Sequence, residues 1–151
     1  MTINPTTDDA RALGSNLLTK ARFGALAVIM DGAPYVSRVA MIWDKTALIT
    51  LVSTLSTHTN ALLANSACSV LIGEPADKGD PLTHPRMTLL CEATETDKAA
   101  AKGLWLSRIP KAQLYYDFKD FRMFRLTPSE LHLNGGFGKA FRLHPQDLHR
   151  P

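Results

Sequence analysis

The sequence lacks several features that would assign a function directly. Its apolar stretches all stay under ten residues, so none is long enough to form a transmembrane helix. No run rich in Lys and Arg appears, and a formal net charge of +3 does not indicate a nucleic-acid partner. The first residues, MTINPTTDDARAL, show no basic segment followed by an apolar one. We therefore expect no secretion signal and a cytoplasmic location.

Metal-binding and common catalytic motifs are also missing. The two cysteines, Cys68 and Cys91, lie inside apolar runs without CxxC spacing, which predicts reduced core residues and no metal site. The five histidines show no HExxH spacing, and no GxSxG motif is present. The segment NGGFGKAF (134–141) matches neither GxGxxG nor the Walker pattern. It is typical of a hairpin turn in which glycine allows close backbone approach.

The length and the hydrophobic pattern together predict one α+β domain over residues 1–151. Periodicity predicts helices over residues 8–22, 58–66 and 97–109. Short turns connect the first three predicted strands, which makes them antiparallel rather than parallel. We therefore expect an antiparallel split β-barrel with peripheral helices. The predicted strands cover residues 25–30, 35–43, 47–52, 68–73, 86–95, 121–128, 130–134 and 137–143.

Two features could bind an anion. Arg38 lies in the middle of a predicted strand, where it is either a solvated or ion-paired residue at the barrel mouth or a cation facing a phosphate or flavin. The segment STLSTHTN (53–60) carries five hydroxyl side chains and one amide just before a predicted helix. Ser56 or Thr57 could simply cap that helix, but the first turn of a helix also binds anions.

The order of these motifs resembles a known family. The segments in question are GAPYVSRVAMIWD, ALITLVSTLSTHTNALLANSACSVLIGEP, HPRMTLLCEA and LNGGFGKAFRL. They resemble the pyridoxamine 5'-phosphate oxidase-like FMN-binding split-barrel proteins, and most of all the haem-iron-utilisation branch. The resemblance covers residues 10–145. It implies a homodimer with two FMN sites at the subunit interface.

The resemblance also implies the residues that hold the cofactor. It places part of one strand along the flavin and the hydroxyl-rich segment around the phosphate, with an arginine nearby. These residues are Arg38, Val39 and Ala40 for the flavin, Ser53, Ser56, His58, Thr59 and Asn60 for the phosphate, and Arg86 as the neighbour. It implies that residues 136–139 lie near the site or the dimer interface. No catalytic residue is implied.

The sequence departs from the family at Asn60. In the haem-utilisation branch a basic residue follows the His-Thr pair, whereas here an amide stands in that position. Loss of one hydrogen bond to a charged group costs roughly 1.5–3 kcal/mol. That corresponds to about ten- to a hundredfold weaker FMN binding. The Arg- and Trp-containing substrate motif of true pyridoxamine phosphate oxidases is missing from the C-terminal segment, so we do not expect that activity.

Three functions follow from these observations. The first is a flavin-dependent oxidoreductase whose substrate the sequence does not identify. The second is a protein that binds haem or another small planar anion without turnover, with His84, His144 and His149 as candidate axial ligands. The third is a dimeric split barrel that has lost its cofactor. None of the three involves nucleic acid or a membrane.

Overall fold

The computed structural model describes residues 2–149. Eight strands and three α-helices form the fold, together with short 3-10 helices at Pro81–Thr83, Pro110–Leu114 and Pro145–Leu148. The strands are β1 (Ile3–Asn4), β2 (Phe23–Met30), β3 (Ala33–Trp43), β4 (Leu48–Ser53), β5 (Ala67–Ile72), β6 (Arg86–Thr96), β7 (Phe121–Asn134) and β8 (Ala140–Leu143). The helices are α1 (Asp8–Lys20), α2 (Thr57–Ala64) and α3 (Lys98–Arg108).

Six of the strands close into an antiparallel barrel. The order around it is β7-β4-β3-β2-β5-β6, and β6 pairs with β7 to complete the circle. Strand β8 adds to the free edge of β7 antiparallel, and β1 adds to β8 parallel. This confirms the α+β fold with an antiparallel split barrel and peripheral helices.

Strands β3 and β4 pair over only a short stretch, which opens the barrel wall near the candidate site. Their pairing runs from Met41 opposite Thr50 to Trp43 opposite Leu48. Strand β4 continues to Ser53 paired only with β7. Strand β3 continues back to Ala33 paired only with β2. The two segments for which the sequence suggests anion binding therefore lie where neighbouring strands stop pairing.

Strand β7 is one long strand, whereas the sequence predicts two strands broken near Pro128. Proline has no N–H to donate, so it usually interrupts a central strand. Here the pairing with β6 shifts between Leu90 and Cys91, and Ser129 becomes the extra residue of a bulge. The Ser129 hydroxyl donates to the carbonyl of Leu90 at 3.2 Å. The bulge accommodates the proline, so the strand bends and continues.

Two apolar clusters hold the barrel. The larger one fills the interior, and four alternate residues of β6 face it: Met87, Leu89, Cys91 and Ala93. The second lies outside the barrel under α3, where Trp105 is fully buried. Burial raises the pKa of the Cys68 thiol to about 12, and both cysteines are free. They are core residues, as the sequence predicts.

The helix boundaries differ slightly from the predicted ones. Helix α1 ends at Lys20 rather than residue 22, because Ala21 is already extended and its N–H closes the helix on Leu17 and Leu18. The side chain of Thr7 accepts a hydrogen bond from Ala10 N, which confirms it as the cap of α1. The two-residue strand β1 was not predicted, since a strand that short leaves no periodic pattern in the sequence.

Candidate functional site

Arg38 lines an open groove on the outside of the barrel. The groove has a volume of about 510 Å³ and runs between the end of α1, the start of β2 and the end of β5. Lys20 and Arg22 also line it, so three cations share the groove with one carboxylate, that of Glu74. The Arg38 side chain is exposed, and its guanidinium carbon lies 5.6 Å from the centre of the Phe23 ring. The groove thus combines positive charge with an aromatic surface, which suits a planar anionic ligand.

The two residues after Arg38 are placed differently from each other. Val39 is 6% exposed and packs in the barrel interior, so its side chain does not face a ligand outside the barrel. Only its backbone is available there. Ala40 is half-buried and packs against the outer cluster under α3. Since side chains alternate along a strand, Ala40 lies on the same face as Arg38.

Ser53 donates its hydroxyl proton to an acidic residue that the sequence does not point to. Its Oγ lies 2.8 Å from Oδ2 of Asp120, and it accepts a hydrogen bond from Leu55 N at 3.2 Å. The backbone N–H of Thr54 donates to the carbonyl of Asp120 at 2.8 Å. The end of β4 and the segment before β7 are therefore joined side by side, with a carboxylate beside the first hydroxyl of the run.

Helix α2 begins in the middle of the hydroxyl-rich segment. Ser56 occupies the N-cap position, as one interpretation of the sequence predicts. Its side chain, however, makes no capping hydrogen bond. The first-turn N–H groups of α2 therefore have no side-chain acceptor. Thr59 is fully buried, and its Oγ1 has no hydrogen-bond partner within residues 2–149. Buried polar atoms without a partner are uncommon in folded proteins, and a bound ion or water is one explanation for this one.

His58 links α2 to the strand that carries Arg38. Its Nδ1 lies 3.0 Å from the hydroxyl oxygen of Ser37, the residue next to Arg38. The imidazole is half-buried, and this desolvation lowers the pKa of His58. The first turn of α2 and the Arg38 segment of β3 are thus directly connected.

The lowered pKa of His58 predicts a pH dependence of stability. As the pH falls below about 6.5, the unfolded chain takes up a proton that the folded chain resists, so the free energy of unfolding decreases. We expect Tm, measured by circular dichroism, to fall between pH 7 and pH 5.5. The variant His58→Asn should flatten this part of the profile, whereas His149→Asn, at an exposed histidine, should not. An unchanged profile in His58→Asn would contradict the assignment.

Asn60 and Arg86 are both engaged with nearby backbone. The amide nitrogen of Asn60 donates to the carbonyls of Thr54 and Ser56, at 3.3 and 3.4 Å. Arg86 donates to the carbonyl of Leu82 at 2.8 Å. Asn60 therefore closes the turn before α2, and Arg86 holds the loop before β6. Neither contact shows a ligand-binding role, so both assignments stay predictions.

The hairpin between β7 and β8 contains the glycine-rich segment. Gly136 has φ +124°, and a Cβ built there would lie 3.1 Å from the carbonyl oxygen of Thr83. Close backbone approach therefore explains this glycine, in line with the turn interpretation. Phe137, at the tip, is 70% exposed.

Sequence reasoning missed Asp120 beside Ser53, and it missed the cations that share the groove with Arg38. Asp120 follows Tyr115–Lys119, a segment without periodicity, and only the three-dimensional pairing brings it to Ser53. Lys20 and Arg22 lie at the end of α1, where cations suit the helix dipole, and Arg22 donates to the carbonyls of Thr19 and Ala21. Their position next to Arg38 could not be predicted from the sequence.

The described residues form neither a metal-binding cluster nor a membrane-spanning helix. Across residues 2–149, no three His, Cys, Asp or Glu side chains are grouped closely enough to hold a metal ion. Over the same residues, every helix is too short or too polar to cross a bilayer.

Comparison with known proteins identifies relatives that handle haem. No model of a known protein family matches the chain. The chain is 39% identical over 97 residues to the chloroplastic non-canonical heme oxygenase HOZ of Arabidopsis thaliana. The matched region covers 62% of this chain and 29% of that protein. The solved structure of a heme binding protein from Mycobacterium smegmatis is 26% identical with a TM-score of 0.83, over 97% of this chain and 61% of that one. The chain thus spans less than two thirds of the length of both.

More distant solved structures share the fold. A protein of the pyridoxine phosphate oxidase family from Clostridium acetobutylicum is 11% identical with a TM-score of 0.73, over 95% of this chain and all of that one. A FAD-binding protein from Mesorhizobium loti is 18% identical with a TM-score of 0.63, over 78% of this chain and 87% of that one. At these identities the likeness shows the split-barrel fold.

Proposed function

Since the chain belongs to the pyridoxamine 5'-phosphate oxidase-like split-barrel family, which includes haem-utilisation proteins, we propose that it binds FMN as a flavin-dependent oxidoreductase. The observation that carries the proposal is the 3.0 Å contact between Ser37 and His58. The contact ties the backbone of β3 beside Arg38 to the first turn of α2, although the Ser37 and Arg38 side chains project from opposite faces of the strand. The flavin would lie along this part of β3 and the phosphate at that turn. The unpartnered hydroxyl of Thr59 in that turn supports a bound group there. We also propose that residues 1–151 form one FMN-binding domain.

The residues would have separate roles toward the cofactor. The guanidinium of Arg38 would face the flavin, and the first turn of α2, with Ser56 and Thr59, would hold the phosphate. Bound FMN would supply the electron transfer. The protein would orient the ring and set the electrostatic field around it.

Titration with FMN tests this function. We expect purified protein to bind FMN with a change in flavin absorbance, and Arg38→Met to weaken binding at least tenfold because a charge-assisted contact is lost. Lys111→Met is the matched control, since Lys111 is exposed on the short helix after α3, and it should bind like wild type. No titratable binding at millimolar FMN in the wild-type protein would reject the function.

We further propose a homodimer in the cytoplasm. The outer face of the β3-β2-β5 sheet exposes Val36 (64%), Leu71 (46%) and Ile29 (38%) beside the groove that contains Arg38. An apolar sheet face of this kind suits an interface between copies of the chain. Light scattering on a chromatography column measures the mass. A mass near 16.6 kDa for wild type would reject the dimer.

Haem binding without turnover is the second candidate. It is favoured by the similarity to the Arabidopsis heme oxygenase and the Mycobacterium heme binding protein, and by the cationic groove with Phe23. A Soret band on haem addition would support it, and no band would reject it. A band that survives replacement of His84, His144 and His149 together would exclude these loop residues as ligands. The Nδ1 of His84 already accepts a hydrogen bond from Ala76 N at 2.9 Å.

A further inference from the structure

Asp120 places a negative charge beside the proposed phosphate position. The Ser53 hydroxyl has one proton, and it donates that proton to Oδ2 of Asp120 at 2.8 Å. What remains on the Ser53 oxygen is acceptor capacity, which already receives Leu55 N. Ser53 therefore has no proton left to donate to a ligand oxygen while it bonds to Asp120.

The Asp120 carboxylate has no ion-pair partner among residues 2–149, and the Lys98 ammonium nearby donates to the carbonyls of Phe118 and Phe121 rather than to this carboxylate. The run from Ser53 to Asn60 contains no Lys or Arg either. A phosphate dianion at the start of α2 would therefore meet a carboxylate without a charged partner in the run to compensate. Like charges repel each other, so this carboxylate would weaken the attraction of the site for a dianion.

Hydrogen bonds on both sides of Asp120 hold its backbone, and the Ser53 hydroxyl holds its carboxylate. The ammonium group of Lys98 donates to the carbonyls of Tyr116, Phe118 and Phe121, at 2.8, 2.7 and 2.7 Å. These carbonyls bracket Asp120 in the chain. Its own carbonyl accepts Thr54 N. Both sides of the residue are thus tied to the barrel.

We propose that Asp120 determines the ligand specificity of the flavin site by opposing the phosphate group. The site then takes flavins as a class, with riboflavin bound about as tightly as FMN. The inference rests on the proposed flavin function and adds to it the discrimination between phosphorylated and unphosphorylated ligand. An isoalloxazine next to Arg38 is common to both ligands, whereas only FMN brings the phosphate near Asp120.

Parallel titrations with FMN and riboflavin test the inference. We expect wild-type Kd values for the two ligands to lie within about threefold of each other. Asp120→Asn keeps the shape and the acceptor for Ser53 but removes the charge. It should tighten FMN binding about tenfold, which equals about 1.4 kcal/mol. Riboflavin binding should stay within twofold of wild type, which also shows that the variant is folded.

Asp117→Asn is the matched control. It removes the same charge three residues earlier, where the exposed Asp117 pairs with Lys102. It should leave both Kd values unchanged.

If Asp120→Asn fails to fold, Asp120→Ser replaces it with the same expected outcome. Equal changes for both ligands, no change for either, or a wild-type protein that already prefers FMN more than tenfold would overturn the inference and leave the flavin function standing. Absence of binding of both ligands in every variant would reject the flavin function and the inference together.

Discussion

Replacing Asn60 with Arg is expected to tighten FMN binding about ten- to a hundredfold. The new guanidinium would stand at the first turn of α2, next to the N–H groups that have no side-chain acceptor. A charge-assisted hydrogen bond to phosphate contributes roughly 1.5–3 kcal/mol. The replaced amide makes only two long contacts, at 3.3 and 3.4 Å, to Thr54 and Ser56, so little is lost. Titration of flavin absorbance or fluorescence measures the change.

Leu63→Arg is the control for the added charge. Leu63 lies on the same helix, is 47% exposed and is three residues further from the first turn. It adds the same charge, so a nonspecific attraction of FMN would appear in both variants. We expect Leu63→Arg to change the FMN Kd by less than threefold, and neither variant to change riboflavin binding. If FMN binding is undetectable in both wild type and Asn60→Arg, the pocket is lost and the third function, a barrel without cofactor, is favoured.

The fold could be predicted because its signals are local. Strand β6 alternates apolar and polar residues, the turn at Asp31-Gly32 has the positive φ values that Asp-Gly pairs tolerate, and Thr7 caps α1. Each of these depends on neighbours in the chain. The continuous β7 was not predicted because Pro128 is tolerated only through the bulge with β6. That bulge depends on long-range pairing, in which Pro128 lies opposite Cys91 and Glu130 opposite Leu90.

The candidate site could be predicted only in part. Arg38 and the run from Ser53 to Asn60 stand out by residue type, since a cation inside a strand and repeated hydroxyls are unusual. What the sequence does not contain is which of these groups is already bonded within the protein. The Ser53 hydroxyl is bonded to Asp120, and Val39 faces inward. The first fact depends on the pairing of β4 with β7, which brings two distant parts of the chain together, and the second on which face of β3 lines the barrel.

Replacing Lys98 with Met is expected to lower the free energy of unfolding by about 3 kcal/mol. The ammonium group donates to three backbone carbonyls at once, those of Tyr116, Phe118 and Phe121. A methionine fills similar space but leaves all three carbonyls without this donor. Two of the contacts are part-buried, so water replaces the donor only incompletely. For a chain of this size the loss corresponds to a fall in Tm of roughly 6–12 °C, measured by calorimetry.

The neighbouring Lys102 is the matched control for Lys98, because the two ammonium groups lie at similar distances from the Tyr116 ring, 5.9 Å for Lys98 and 5.8 Å for Lys102. Lys102 otherwise pairs only with Asp117, whose side chain is 71% exposed. A surface ion pair contributes about 0–1 kcal/mol, so Lys102→Met should lower Tm by no more than about 4 °C. Similar losses in the two variants would show that the cation–ring contacts, rather than the three carbonyls, hold the segment. A selective loss in Lys98→Met would show that this lysine fixes the segment between α3 and β7, and with it the carboxylate of Asp120 beside Ser53.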